Sequence, residues 1–253
     1  MNIITLITDF GMRDWFVGSV KGAILSVQPQ AVIVDITHEI PPGDIRAGAF
    51  ALMACCRCFP RDTVHVVVVD PGVGSARAAI VVRTSGYYFV GPDNGVLSWA
   101  LAKEQVLEIR QAENETHFRR PVSRTFHGRD VFAPVAAHLT QGVPIELLGR
   151  RLKDYVRLDW PKPQVVGGLL RGEIVYIDRF GNAITNIESS AETATRVRVP
   201  GKVDCAIKSF YQEVGHGQPL AIVGSVGYLE LSVNGADAAK TFGLRIGDVV
   251  EVR

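Results

Sequence analysis

The stretch Val66–Arg77, which reads VVVVDPGVGSAR, decides the fold of the N-terminal half of the chain. Four consecutive valines are typical of a strand that is buried on both faces of a sheet. Pro71 and Gly72 end this strand directly after Asp70. Because ligands of open α/β sheets bind outside the carboxyl ends of the strands, Asp70 and Arg77 form a candidate polar site. A structural salt bridge that closes the turn explains the same two residues equally well.

Apolar strands and helices alternate on the N-terminal side of the valine strand. Asp14 and Asp44 each precede an amphipathic run that they can cap as helix N-termini. Such alternation is typical of crossover connections, so we expect an α/β domain with a mostly parallel sheet. The predicted elements are a strand over Ile3–Thr8, a helix from Trp15 to about Gln28, a strand over Ala31–Ile36 and a helix that ends near Arg57.

The pattern changes beyond Arg77. The tripeptide Thr84–Gly86 separates two short apolar runs and predicts a hairpin, and a helix is predicted from Arg129 to Gln141. The Pro-rich segment Trp160–Pro163 and the pair Gly167-Gly168 are the best linker candidates. Short strands with turn signals follow them, as in a small β-barrel or sandwich. We therefore expect an α/β domain over residues 1–160 and a smaller β domain over residues 168–253.

Composition limits the classes of partner. A net charge of +1 over 253 residues gives no indication of a polyanionic partner, so we expect no nucleic acid. No apolar run approaches the roughly 20 residues that span a bilayer, and Asp9 interrupts the N-terminus too early for a signal peptide. The cysteines lack the paired spacing of a zinc site, so we interpret them as reduced thiols and expect a cytoplasmic protein. They are Cys55, Cys56, Cys58 and Cys205.

Four carboxylates follow apolar runs that we predict to be strands. A capping or turn role accounts for any one of them alone, whereas their recurrence at the same kind of position favours a shared cleft. They are Asp9, Asp35, Asp70 and Asp178.

Two further motifs carry polar side chains in predicted loops. Thr125–Asp130 (TFHGRD) lies just before a helix, so His127 is a candidate for a site near a helix N-terminus, although a lone histidine is more often structural. Asp178–Asn186 (DRFGNAITN) offers donors and acceptors that suit a nucleobase or an amino-acid headgroup, or else forms an Asx-rich hairpin turn. The residues by themselves indicate a two-domain protein with a site that contains Asp, Arg and His.

Five motifs, taken in order, make the chain resemble a known family. They are Thr8–Gly11 (TDFG), Val69–Gly74 (VDPGVG), Gly91–Gly95 (GPDNG), Thr125–Asp130 (TFHGRD) and Asp178–Asn182 (DRFGN). The chain is similar over essentially its whole length to the S-adenosyl-L-methionine hydroxide adenosyltransferases, the non-halogenating relatives of fluorinase and chlorinase. The resemblance implies an α/β domain, a C-terminal β-barrel, and a homotrimer whose sites lie at subunit interfaces.

The resemblance also implies a reaction and a set of site residues. S-adenosyl-L-methionine and water would give adenosine and L-methionine, with no metal and no cofactor. The catalytic set falls on Asp70, Arg77 and His127. The implied substrate-binding residues, the first of which holds the ribose hydroxyls, are Asp9, Asp14, Asn94, Asp178, Phe180, Asn182 and Ser225.

This chain departs from the halogenating relatives at four positions. It has Asp70-Pro71 where they have Tyr-Pro, and His127-Gly128 where they have Tyr-Ser. A carboxylate is unfavourable beside a halide, so we expect water to be the nucleophile. Val226 replaces the arginine that grips the methionine carboxylate in those relatives. Two other functions fit the same residues: a sensor that binds S-adenosyl-L-methionine or adenosine without turnover, and a metal-dependent hydrolase that uses the strand-edge aspartates.

Overall fold

The chain folds into two compact units, residues 1–158 and residues 159–253. The structure is a computed structural model that describes residues 2–188 and 195–253. In the first unit the strands are β1 (Ile3–Thr8), β2 (Val32–Thr37), β3 (Val64–Val68), β4 (Ala79–Thr84), β5 (Tyr88–Pro92) and β6 (Val106–Gln111). Its α-helices are α1 (Phe16–Val27), α2 (Ile45–Cys55), α3 (Ser98–Leu101) and α4 (Ala133–Thr140).

The six strands of this unit form one sheet in the order β2-β1-β3-β5-β4-β6. Strands β2, β1, β3 and β5 pair in parallel, whereas β4 runs antiparallel to both of its neighbours. The sheet is therefore mixed, and a mostly parallel sheet is not confirmed. The reason is the short link between β4 and β5, since a parallel crossover needs a dozen or more residues.

The valine strand lies in the middle of this sheet, as predicted. Every residue of β3 is buried, and so is Val69 beyond its end. One face of β1 and β3 packs against α1 and α4 in a single apolar cluster. The other face lies against α2, where a Cβ on Gly48 would come within 3.0 Å of the Val69 side chain. Helices on both faces hold the end of β3 rigidly, which fixes the backbone that leads into Asp70.

The two predicted helix caps have different outcomes. Asp44 is the N-cap of α2, and its carboxylate accepts a hydrogen bond from the Ala47 amide at 2.9 Å. The prediction for Asp14 is wrong, because α1 has Trp15 at its N-cap position and no side-chain capping bond. Trp15 already has a helical backbone conformation, so Asp14 lies one residue too early to reach the first amides of α1.

The second unit is a barrel. Its strands are β7 (Gln164–Val166), β8 (Leu169–Ile177), β9 (Ala183–Glu188), β10 (Arg196–Val199), β11 (Val203–Lys208), β12 (Pro219–Val223), β13 (Tyr228–Val233) and β14 (Val249–Val252), with the short helix α5 (Ala238–Phe242) before β14. Seven of them run in the order β14-β10-β11-β12-β13-β9-β8, and pairing between β14 and β8 closes the ring. A buried apolar cluster fills the interior.

The β7–β8 hairpin changes one interpretation of the sequence. Gly167 and Gly168 do not form a linker, because they make the turn between β7 and β8 with φ of 60° and 77°. The left-handed region is open to glycine at little cost, which accounts for the pair.

Among the helices of the described residues, none is both long enough and apolar enough to cross a membrane.

Candidate active site

Asp70, Arg77 and His127 meet at the carboxyl end of β3. The Arg77 Nε donates to the two carboxylate oxygens of Asp70 at 3.0 and 2.9 Å, and Nη2 also donates to Oδ2. The same Nη2 lies 2.9 Å from His127 Nδ1. The side chains of Asp70 and Arg77 are only 4% and 10% exposed, and the guanidinium lies over the Phe132 ring. Arg77 therefore points inward and bridges an anion and an imidazole.

A close approach of two loops brings these residues together. Gly74 has φ of 77°, and a Cβ there would lie 2.2 Å from the Arg124 carbonyl oxygen. Only glycine allows both the left-handed conformation and this contact. The loop from Asp70 to Arg77 thus packs directly on the segment that leads into His127.

The hydrogen bond from Arg77 fixes the proton arrangement of His127. A guanidinium is always a donor, so Nδ1 is the acceptor, and the neutral ring carries its proton on Nε2. Partial burial lowers the pKa of His127, and the Arg77 charge lowers it further against the opposing effect of Asp70. His127 is therefore neutral at pH 7. Its Nε2–H has no protein acceptor within the described residues and is available to a bound oxygen.

Arg129 and Asp130 hold the segment around His127. Arg129 donates from two nitrogens to the fully buried Asp130, at 2.7 and 2.9 Å. Asp130 also accepts from the Ser123 amide at 2.9 Å. Burial raises the pKa of Asp130, but these donors outweigh it and keep the carboxyl ionised. The bond from the Ser123 amide to Asp130 ties the two ends of this loop together and so supports His127.

Asp9 follows β1 on the same side of the sheet. Its Oδ2 accepts from the Gly43 amide at 2.8 Å. Burial raises the pKa of Asp9, and the negative charge of Asp70 adds to the rise. Because β1 and β3 run parallel with Thr8 opposite Val68, the chain leaves both strands toward Asp9 and Asp70 at the same edge of the sheet. Asn94 holds the backbone that leads from β3 into Asp70. Its Nδ2 donates to the Val69 carbonyl at 2.9 Å, and its Oδ1 accepts from the Val96 amide.

In the barrel unit, Asp178 and Asn182 form one compact turn. Asp178 Oδ1 accepts from the amides of Phe180 and Asn182 at 2.9 Å each, and its Oδ2 accepts from Asn182 Nδ2 at 2.9 Å. This is the Asx turn that the sequence admitted as one alternative. It also has a second property, since it holds the Phe180 ring outward with 77% of the residue exposed.

That ring borders a cavity of about 430 Å³ in the barrel unit. A second aromatic residue, Tyr211, lines it and donates from its hydroxyl to the buried Glu230 at 2.8 Å. Burial and the bond to Glu230 raise the pKa of Tyr211 to about 12, so the phenol keeps its proton. The lining residues are Phe180, Asn182, Tyr211, Val233, Gly235 and Ala236. A cavity of this size with aromatic walls suits a planar ring.

Two family models match the chain, one for each unit. Residues 4–149 match the SAM hydroxide adenosyltransferase N-terminal domain, and residues 172–251 match the C-terminal domain of the same family. The chain belongs to the SAM hydroxide adenosyltransferase family. The three motifs that build the Asp-Arg-His cluster and the Asp9 turn lie within the first match, and the Asp178 turn lies within the second.

Curated relatives match this chain over nearly its whole length. A protein of Methanocaldococcus jannaschii named (R)-S-adenosyl-L-methionine hydrolase is 36% identical, with 100% of this chain and 96% of the relative covered. A protein of the same name from Thermus thermophilus is 37% identical, with 98% of each covered. A fluorinase of an Actinoplanes species is 30% identical over 99% of this chain and 97% of its own.

Two solved structures share the fold of this chain. An uncharacterized conserved protein from Thermotoga maritima superimposes with a TM-score of 0.93 at 41% identity, with 99% of each chain covered. A conserved hypothetical protein from Thermus thermophilus gives a TM-score of 0.81 at 34% identity over 100% of each chain.

Of the four predicted strand-edge carboxylates, Asp35 is not at a strand end. Asp35 is inside β2 rather than after it, and it forms ion pairs with Lys21 and His38. The expectation that all four carboxylates recur at strand ends is therefore wrong for this residue. Asp14 is exposed on the loop before α1, and Ser225 is exposed in the turn after β12 beside the half-buried Val226.

Sequence reasoning missed several residues near these sites. Thr8 and His38 flank Asp9, and Tyr211 lines the barrel cavity, although none of the three was singled out. For Thr8 and His38 a signal existed, because each lies at the carboxyl end of a predicted strand, where sites of α/β sheets gather. Within residues 2–188 and 195–253, no group of three His, Cys, Asp or Glu side chains is placed to hold a metal ion.

Proposed function

We propose that this protein hydrolyses S-adenosyl-L-methionine to adenosine and L-methionine. The observation that carries the proposal is the Asp70–Arg77–His127 cluster, a buried cation with a neutral imidazole donor beside it. The cluster belongs to a chain whose curated hydrolase relatives match it from end to end.

The chemistry needs a positioned water more than it needs an acid. The oxygen of water attacks C5′, the C5′–S bond breaks, and its electron pair neutralises the sulfonium to give the thioether of methionine. One proton is released, and the 5′-hydroxyl of adenosine forms. Because the sulfonium is already a good leaving group, catalysis depends on holding the oxygen in line with the C–S bond and on favouring its hydroxide-like form.

Each member of the cluster suits one part of that task. The Arg77 guanidinium stabilises a hydroxide-like oxygen electrostatically. His127 donates from Nε2 and orients the same oxygen, because its Nδ1 is already occupied by Arg77. Asp70 fixes the guanidinium through both carboxylate oxygens. A halide would meet the buried Asp70 carboxylate unfavourably, which supports water as the nucleophile.

The first unit also offers groups for the nucleoside. An ionised carboxylate accepts from two hydroxyls at once, which suits Asp9 to the ribose diol. Asn94 affects substrate binding indirectly, because its hydrogen bond to the Val69 carbonyl positions the backbone directly before Asp70. Asp14 is an exposed carboxylate that suits the ammonium of methionine.

The barrel unit supplies a second set of contacts in this proposal. Phe180 and Asn182 border the cavity and suit the adenine ring and its polar edge, while Asp178 and Ser225 suit the methionine headgroup. Val226 has no charge for the methionine carboxylate, so Ser225 is the side chain in that turn that can donate to it.

We also propose a homotrimer with sites at subunit interfaces. Light scattering tests it, because a mass near 27.5 kDa would be that of a single chain.

We further propose that the reaction uses no metal and no cofactor, and that the protein works in the cytoplasm. The sulfonium leaving group needs no Lewis acid, which supports the first point. The four cysteines are free thiols, which supports a reducing compartment.

Product analysis tests the proposed function. Purified protein incubated with S-adenosyl-L-methionine is expected to yield adenosine and L-methionine in equal amounts, at the same rate before and after dialysis against a chelator. Tight binding of adenosine without any turnover would instead support the sensor. Activity that is lost on chelation and restored by a divalent cation would support the metal-dependent hydrolase.

A further inference from the structure

The turn that carries Asp9 is tied at two points to His38. Thr8 Oγ1 lies 2.8 Å from His38 Nδ1, and it also accepts from the Phe10 amide at 3.2 Å. The His38 carbonyl accepts from the Gly11 amide at 2.7 Å. Thr8 and His38 are 1% and 3% exposed, so these bonds are shielded from water. The conformation of the turn from Thr8 to Gly11 is thus set from β2 as well as from β1.

Asp35 sets the orientation of the His38 ring. Its Oδ1 lies 3.1 Å from His38 Nε2, in a contact that is not a well-aligned hydrogen bond. Burial raises the pKa of Asp35, but the bonds to Lys21 and His38 outweigh it and keep the carboxyl ionised. A carboxylate only accepts, so the tautomer with its proton on Nε2 faces Asp35 favourably, and in that tautomer Nδ1 receives the hydroxyl proton of Thr8.

These contacts leave the Thr8 hydroxyl with one arrangement. It donates to His38 Nδ1 and accepts from the Phe10 amide. Phe10 in turn packs edge-on against Phe126, and a Cβ on Gly128 would lie 3.2 Å from the Phe10 ring. The turn is therefore held both by His38 and by the segment that carries His127. Asp9 lies between these two attachments.

We propose that Asp35, His38 and Thr8 form a positioning relay that fixes the Asp9 carboxylate for the ribose diol of the substrate. The proposal rests on the proposed function, in which Asp9 accepts from the two hydroxyls. The three relay residues need not touch the substrate, because they act through the backbone of the turn. Such a relay affects only the part of the nucleoside affinity that comes from the ribose diol. A residue that merely stabilises the fold would affect nucleosides with and without the diol equally.

The test compares two ligands that differ only in the diol. Calorimetry is carried out with adenosine and with 2′,3′-dideoxyadenosine on the wild-type chain and on Thr8→Val, which removes the hydroxyl but keeps the shape. Loss of the buried bonds is expected to weaken adenosine binding about tenfold and to leave dideoxyadenosine binding within about twofold. Thr8→Ser is expected to restore adenosine affinity. Asp35→Ala, at the exposed end of the relay, is expected to show the same selective loss at about threefold.

The same strand provides a matched control. Thr5 Oγ1 lies 2.8 Å from Nδ1 of the fully buried His65, three residues before Thr8, so Thr5→Val removes the same kind of bond away from the turn. It is expected to lower Tm and to leave both affinities unchanged. Equal losses for both ligands in Thr8→Val and Asp35→Ala would overturn the relay while leaving the proposed function intact. A wild-type chain that binds neither ligand, with no adenosine formed from S-adenosyl-L-methionine, would overturn the proposed function and the relay with it.

Discussion

Replacing Arg77 with methionine is expected to lower kcat for adenosine formation by about 10²- to 10³-fold, the range for losing one preorganised donor to an anionic oxygen. Arg77 is the residue that contacts both other members of the cluster, so its loss removes the charge and also releases His127 Nδ1. The buried Asp70 carboxylate is left without its partner, which is expected to cost about 3 kcal/mol of unfolding free energy. Activity is therefore measured at a temperature where circular dichroism shows the variant folded.

Two variants separate catalysis from stability at this position. Arg77→Lys keeps a charge, but a single ammonium does not span both Asp70 and His127, so we expect partial stability and a kcat well below that of the wild type. Arg198 in the barrel makes the same kind of bond to the mostly buried Glu251, and Arg198→Met is expected to keep full kcat. A folded Arg77→Met variant with undiminished turnover would make the Asp70–Arg77 pair a structural salt bridge only.

Acid is expected to abolish turnover through His127. Burial and the Arg77 charge lower the pKa of His127 below its ordinary value of 6.5. The neutral ring is the active form, because a proton on Nδ1 would face the guanidinium and break the bond to it. Turnover is therefore constant near pH 7 and falls as the pH drops through the lowered pKa. Stability moves in the same direction, since the unfolded state binds this proton more readily below pH 6.5 than the folded state does.

The pH profile of kcat measures this effect, and two variants assign it. His127→Ala is expected to lose about 10²-fold in kcat and, with it, the acid limb that belongs to this residue. His138 is the control, because burial also lowers its pKa, while its ring packs against His117. His138→Gln is expected to keep both kcat and the acid limb. An unchanged acid limb in His127→Ala would assign the titration to another group.

Much of the fold could be predicted from local pattern. The run Val66–Val69 is buried on both sides because helices cover both faces of the sheet, and such a strand needs no partner information to be found. Asp44 indicated the start of α2 through its capping chemistry. The hairpin predicted at Thr84–Gly86 is also confirmed, because β4 and β5 pair antiparallel on either side of this turn.

The candidate site could be predicted only where residue type and position coincide. Asp70 and Arg77 are seven residues apart, so their contact is a local matter, whereas the approach of His127 depends on Gly74 and a loop fifty residues away. The Thr8–His38 contact joins two strands and has no signature in either segment alone. Asp35 follows an apolar run and so suggested a strand end that faces the site. In the structure it lies inside β2 and pairs with Lys21 and His38.

Hydrolysis in H₂¹⁸O tests the central claim most directly, namely that water attacks C5′ beside Asp70, Arg77 and His127. S-adenosyl-L-methionine is incubated with the protein in labelled water, and both products are analysed by mass spectrometry. One ¹⁸O atom is expected in the 5′-hydroxyl of every adenosine formed and none in the methionine. Adenosine without the label, or cleavage at any bond other than C5′–S, would contradict the account.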